Sequence, residues 1–170
     1  RLNLPMGQAL RIADLGCGTG ATARTAVAWH AQLSADAVTI VPTQIALGHK
    51  LNQLATRGDA ITMHQADFAR TSLPSAQFDA VYLLESACHA QRKTKNDVLK
   101  EAFRLLKPGG RFMMVDAMLR HELPNTGLMQ RLIHKIYRLW CDSWAVSEMC
   151  RLDLLPSEMR AEGFESLSIE

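Results

Sequence analysis

The sequence predicts an α/β domain in which helices cover a mostly parallel sheet. Three observations carry that expectation. Apolar strand-like runs alternate with helical patterns along most of the chain, as βαβ units require. A glycine-rich stretch, Asp14-Leu15-Gly16-Cys17-Gly18-Thr19-Gly20, joins the first apolar run to the first helical one, where open parallel sheets place ligands. With 170 residues, nearly half of them apolar, the chain is long enough to bury the core of one domain.

Taken in order, Leu10 to Asp14 reads as the first strand and Ala21 to His30 as the first helix. Ala37 to Val41 is the second strand, and Pro42 opens a helix that continues from Gln44 to Thr56, since proline suits a first helical turn. Gly58 ends that helix, and Ile61 to Gln65 is the third strand. Phe78 to Leu84 has the continuous apolar character of a buried fourth strand. Asn96 or Asp97 caps a helix reaching Leu106, and Lys107-Pro108-Gly109-Gly110 turns sharply into a fifth strand, Arg111 to Asp116.

From Ala117 the pattern changes. Leu128, Leu132, Ile133, Ile136, Tyr137, Leu139 and Trp140 recur at helical spacing, with Arg131, Lys135 and Arg138 on the other side. Residues 117–152 read as a helical cap or insertion after the fifth strand. Packing of that stripe on the core or over a site is the default; lying on a membrane is the alternative. A last helix from Leu154 to Glu162 stops at Gly163, and Phe164 to Glu170 reads as a sixth strand. The whole chain, 1–170, is read as a single domain that is a piece of a longer protein, cut at both ends.

The net charge of +2 makes no case for a nucleic-acid partner. No apolar run approaches the ~20 residues that span a bilayer, and no signal-peptide pattern opens the chain. Cys17, Cys88, Cys141 and Cys150 lack the close pairing of a zinc site. They read as reduced thiols of a cytoplasmic protein, although four cysteines also suffice for two disulfides.

The glycine loop admits two ligands. Gly16-x-Gly18-x-x-Ala21 fits the looser dinucleotide fingerprint, in which a pyrophosphate rests on a helix N-terminus. A carboxylate at Asp14 would repel that anion. It suits a ligand with positive charge, such as the ammonium and sulfonium of S-adenosylmethionine (SAM). Asp36 has the dinucleotide spacing but precedes the second strand rather than ending it.

Gln65-Ala66-Asp67-Phe68, Phe78-Asp79-Ala80-Val81 and Leu105-Leu106-Lys107-Pro108-Gly109-Gly110-Arg111-Phe112 follow the loop in an order and spacing that are specific together. By these motifs the chain resembles the class I SAM-dependent methyltransferases over nearly its whole length. Val38-Thr39-Ile40-Val41-Pro42-Thr43-Gln44 is similar to the branch containing sterol and tocopherol methyltransferases and cyclopropane fatty acid synthases, with Val41 in place of that branch's serine. The resemblance implies a three-layer Rossmann-like sandwich with strand order 3-2-1-4-5-7-6, here truncated before the seventh strand, which would leave the sixth without a neighbour. It implies that Gly16, Cys17 and Gly18 meet the methionyl part of SAM through backbone while Asp14 orients the loop or attracts the ammonium. Thr39 and Gln44 then hold the ribose, Asp67 and Phe68 the adenine, and Leu84 or Glu85 closes the pocket at the sulfonium.

Methyl transfer from a sulfonium is an in-line displacement with a neutral leaving group, so a base is needed only if the acceptor must lose a proton. Glu85 and His89 are the candidates, on one side of the chain if their turn is helical; a loop-structuring glutamate and a surface histidine are the plain alternative. Cys88 lacks the setting of a nucleophilic cysteine, and no acidic metal site is evident, Asp116 alone being insufficient. Tyr137, Trp140 and Trp144 wall an apolar acceptor pocket or pack in the core. The expected function is transfer of a methyl group from SAM to a small, apolar acceptor: a lipid, an isoprenoid or a secondary metabolite. An NAD(P)-dependent oxidoreductase and a SAM-binding domain without turnover are the alternatives.

Overall fold

The computed structural model describes residues 2, 4–90, 95–123 and 126–168. Strand β1 (Leu10–Leu15) leads through the glycine loop to α1 (Ala21–Trp29), followed by β2 (Leu33–Thr39), α2 (Pro42–Leu54), β3 (Ile61–Gln65) and β4 (Phe78–Leu84). Helix α3 (Asn96–Leu105) then runs straight into β5 (Leu106–Val115). These five strands form one sheet in the order β3-β2-β1-β4-β5, all paired in parallel. The order reverses direction at β1, so β1 and β4 bracket the crevice in which such sheets bind ligands. Ala13, Leu15, Val38, Val81 and Leu83 are fully buried near the carboxyl ends of the strands, which makes this end a firm support.

The second strand begins earlier than its apolar run suggests. Leu10 of β1 pairs with Leu33, and the ladder continues to Val38 opposite Leu15. Pairing with β1 draws Leu33 to Asp36 into the sheet, while Ile40 and Val41 lie beyond its end, 61% and 38% exposed. Asp36 is therefore inside β2, not before it. There it accepts from Arg11 and sits 2.7 Å from the ring of His64, which holds its carboxyl below the ordinary range against the cost of burial.

Other expectations are corrected at element ends. The cap position of α3 is Lys95, without a side-chain cap, rather than Asn96 or Asp97. Helix α2 stops at Leu54, and Gly58 opens a short 3₁₀ turn. Lys107 to Gly110 lie inside β5 as an irregularity: Phe78 pairs with Leu106 and Ala80 with Arg111.

Phe164 to Ser168 form no strand. Helix α5 (Leu155–Ala161) is followed by Gly163, whose φ of 101° reverses the chain. Phe164 then packs on Phe103 and Phe112 with ring centroids 5.2 and 5.1 Å away. A strand needs a neighbour to satisfy its backbone, and among the described residues none lies outside β5.

After β5, β6 (Met118–Leu119) pairs with β7 (Cys150–Arg151) around α4 (Leu128–Ser143). Helix α4 is seated by few residues: Cys141 is buried and, with Val146 and the half-buried Tyr137, packs against Cys88. Its apolar stripe does not pack on the core. Leu128, Leu132, Ile136 and Leu139 are each more than half exposed, and Trp140 and Trp144 are 42% and 66% exposed.

Candidate active site

The glycine loop leaves β1 between β2 and β4. Gly16, Gly18 and Gly20 all have positive φ, a conformation that glycine adopts without steric cost. Gly16 needs it twice over, because a Cβ there would come 2.3 Å from the Cβ of Ser86. The backbone N–H groups of Gly16 and Cys17 both donate to the carbonyl of Val38 at 2.9 Å, and Gly20 N–H donates to Cys17 at 2.8 Å. Two N–H groups at the head of the loop are thus spent inside the fold. They are not available to a pyrophosphate, nor as donors to the methionyl part of SAM, so the expected backbone contact of Gly16 and Cys17 is left to close approach and not to their N–H groups.

Beside the loop lies Asp14, 2% exposed. Tyr82 of β4 is its register partner and approaches the carboxylate, yet among the described residues neither Asp14 Oδ2 nor the Tyr82 hydroxyl completes a hydrogen bond. Burial pushes the Asp14 carboxyl up to about 7, a rise that Tyr82 opposes. A buried carboxylate without a partner is costly. An ammonium would relieve that cost and a phosphate would raise it, so the residues present fit a cationic ligand.

The other expected cofactor residues converge on the same end of the sheet. Thr39 closes β2, and its hydroxyl donates to Gln44 Oε1 at 2.6 Å while accepting from Val41 N–H at 3.3 Å. The pairing of Thr39 with Gln44 leaves the Gln44 amide nitrogen as the donor toward a ligand oxygen. Asp67, just past β3, is exposed; Oδ1 accepts from Ala69 N–H at 2.9 Å, a local turn bond that leaves Oδ2 for a ligand. Phe68 is half-buried, with a ring carbon 3.7 Å from where a Gly16 Cβ would stand. Leu84 ends β4, half-buried. Cys17 is half-buried, and its thiol is pushed up to about 12, by burial first and the charge of Asp14 second.

Glu85 and His89 are both exposed beyond β4, but no helical turn joins them. Glu85 has φ 49°, Ser86 has φ −129° and ψ −26°, neither helical nor extended, and Ala87–His89 is a 3₁₀ turn. The one-face argument from i,i+4 spacing therefore fails. Glu85 N–H donates to Val115 at 2.8 Å. His89 Nδ1 lies 3.0 Å from the carbonyl of Ala145; a carbonyl only accepts, so Nδ1 donates to it, and Nε2 is the nitrogen that faces away from this bond. Cys88 is buried, its thiol raised to about 12 by burial and then Asp116, as suits an unreactive side chain. Asp116 is occupied structurally, accepting from Cys88 and Ala117 N–H. Among the described residues no group of three metal-ligating side chains gathers.

Ser86 was not singled out by the sequence. It is buried against Gly16 and donates to Leu15 O at 2.8 Å. Its place in the Glu85-Ser86-x-x-His89 pattern, which the resembled branch shares, points to the acceptor side and does not reveal a contact across the sheet. A cavity of about 820 Å³ lies elsewhere, along β5 between Phe103, Gly110, Phe112, Met159 and Phe164. No candidate site residue lines it.

A profile of the methyltransferase domain matches residues 12–110. The chain belongs to this methyltransferase family. Among curated relatives, sterol 24-C-methyltransferase ERG6B of Gibberella zeae is 29% identical over 168 residues, covering 99% of this chain and 43% of the relative. Dimethylglycine N-methyltransferase of Parasynechococcus marenigrum is 32% identical over 133 residues, covering 78% and 46%. Among solved structures, phosphoethanolamine N-methyltransferase 2 of Haemonchus contortus in complex with SAM shares the fold, with TM-score 0.76 and 18% identity over 94% of this chain and 34% of that one. The chain spans about half the length, or less, of the curated relatives it matches. SAM is the cofactor of the methyltransferase reading.

Proposed function

We propose that this domain binds SAM at the carboxyl ends of β1 to β4 and that the protein transfers the methyl group to a small, apolar acceptor. The observation that carries this reading is the buried Asp14 carboxylate, whose Oδ2 has no hydrogen bond among the described residues, beside a loop whose leading N–H groups are already spent. It favours a cation over the pyrophosphate of a nicotinamide cofactor. Bound there, SAM supplies an electrophilic methyl group on a sulfonium that leaves as a neutral thioether.

In this reading Asp14 draws the ammonium to the loop, Gln44 reaches the ribose from its bond with Thr39, and Asp67 Oδ2 accepts from the adenine edge beside Phe68. Leu84 walls the reacting end and restricts water, leaving alignment to lower the barrier. Where the acceptor must lose a proton, His89 Nε2 takes it, with Glu85 the second candidate.

An apolar acceptor is supported by the bare face of α4, because contiguous exposed apolar surface of this kind marks a binding surface. Helix α4 with its flanking residues caps the acceptor side, since Ala145, just past it, holds His89. Lipids, isoprenoids and secondary metabolites are the acceptor classes; a balanced charge speaks against nucleic acid. No described helix is long and apolar enough to cross a membrane, and four free cysteines suit a cytoplasmic location.

Calorimetric titration of the full-length protein with SAM and with NAD tests the cofactor; binding of NAD alone sinks the proposal. Labelled SAM offered with a panel of apolar acceptors tests the reaction. Tight SAM binding without label transfer to any of them favours a SAM-binding domain without turnover.

A further inference from the structure

Ser86 follows Glu85 directly after β4 and is 4% exposed. Its hydroxyl donates to the carbonyl of Leu15 at 2.8 Å, 71 residues earlier in the chain. Its own carbonyl accepts the backbone N–H of His89 at 3.1 Å. One buried residue thus grips the end of β1 with its side chain and the His89 turn with its main chain. The fit is close, since a Gly16 Cβ would stand 2.6 Å from the Ser86 hydroxyl oxygen.

The Leu15 carbonyl and the Gly16 N–H belong to one peptide unit. Ser86 holds its oxygen and the Val38 carbonyl holds its N–H, at 2.8 and 2.9 Å. That plane is pinned from both sides, and its tilt sets where the following glycines lead. A buried carbonyl that loses its donor costs more than the bond it made was worth.

We propose that Ser86 is a positioning residue: it fixes the Leu15–Gly16 peptide and so holds the cofactor loop in register with the turn that carries His89. The proposal rests on the SAM reading and joins the two halves of that site into one unit. Loosening the tie lets the loop and the His89 turn shift relative to each other.

The test uses the full-length protein, with calorimetry for SAM, thermal unfolding and amide hydrogen exchange. Ser86→Ala should lower the unfolding midpoint, because the Leu15 carbonyl loses its donor, but it should weaken SAM binding about tenfold and speed exchange at Gly16, Cys17 and His89 well beyond what that fall explains, while exchange within α3 rises only in step with the midpoint. A merely structural role would instead lower affinity only in step with the unfolding midpoint. Ser86→Cys keeps the volume and a weaker donor, and should fall between. Gly16→Ala should weaken binding about a hundredfold or more, and adding Ser86→Gly to it should recover about tenfold by removing the clash, the strain of the positive φ remaining.

Wild-type affinity in Ser86→Ala overturns the inference; if that variant does not fold, wild-type affinity in Ser86→Cys does so. Strict additivity of Gly16→Ala and Ser86→Gly overturns the contact. Failure of the wild-type protein to bind SAM sinks the underlying reading instead.

Discussion

Replacing Asp14 by Asn tests the electrostatics on which the functional reading stands. The carboxyl rises from 3.8 to about 7 in the folded protein because burial disfavours its charge. At 1.36 kcal/mol per tenfold step, the ionised folded state without ligand carries a penalty of at most about 4 kcal/mol, a large share of a typical domain's stability. The sign follows from proton counting. Between pH 3.8 and about 7 the folded state retains a proton that the unfolded chain has lost, so stability falls as pH rises. Above about 7 both states are ionised and the full penalty remains. From pH 5 to 8 the wild-type protein should therefore lose about 3 kcal/mol relative to Asp14→Asn, because the amide does not titrate. Urea unfolding of both proteins at four pH values measures this. The ligand should reverse the order: SAM should bind wild type more tightly by about tenfold to a hundredfold at pH 8, with proton release on binding near pH 6. Parallel stability curves for the two proteins would refute the argument, because Asp14 would then have a partner or water that its surroundings do not show.

Asp67→Ala should weaken SAM binding about tenfold by calorimetry, whereas Asp67→Asn, which keeps an acceptor for Ala69 N–H, should lose less; unchanged affinity in the alanine variant would move the adenine elsewhere. His89→Ala should lower kcat by about a hundredfold or more on an acceptor that must lose a proton, with SAM affinity unchanged, and intact turnover would remove the base from His89. Arg57 donates to the carbonyls of Val27, His30 and Leu33, fastening the end of α1 to β2. Arg57→Ala should cost about 2–3 kcal/mol in urea unfolding and leave SAM affinity alone; a smaller loss would mean that water replaces the guanidinium.

Local pattern made much of this fold legible. Ile61–Gln65 and Phe78–Leu84 stand where their apolar runs place them, because a short run between turn residues has few alternatives. The second strand was misplaced because Leu33 to Asp36 carry no strand-like run of their own; β1 recruits them. Asp36 shows the same limit: its spacing from the glycines said nothing about Arg11 and His64, which reach it from the two flanking strands. The stripe on α4 was read correctly as helical, but periodicity marks an apolar face without saying what covers it.

By itself the sequence determined the order of the elements, the glycine loop with its acidic neighbour, and the set of polar residues at the strand ends. These are local properties, written in runs and turns of a few residues. Tertiary structure decided what those residues do. It buried Asp14 with no hydrogen bond to Oδ2 among the described residues, spent the Gly16 and Cys17 N–H groups on Val38, separated Glu85 from a helical alignment with His89, and set Ser86 against Leu15. Each outcome depends on which strand lies beside which, and hydrogen bonding and desolvation act across that distance in space, whatever the distance along the chain.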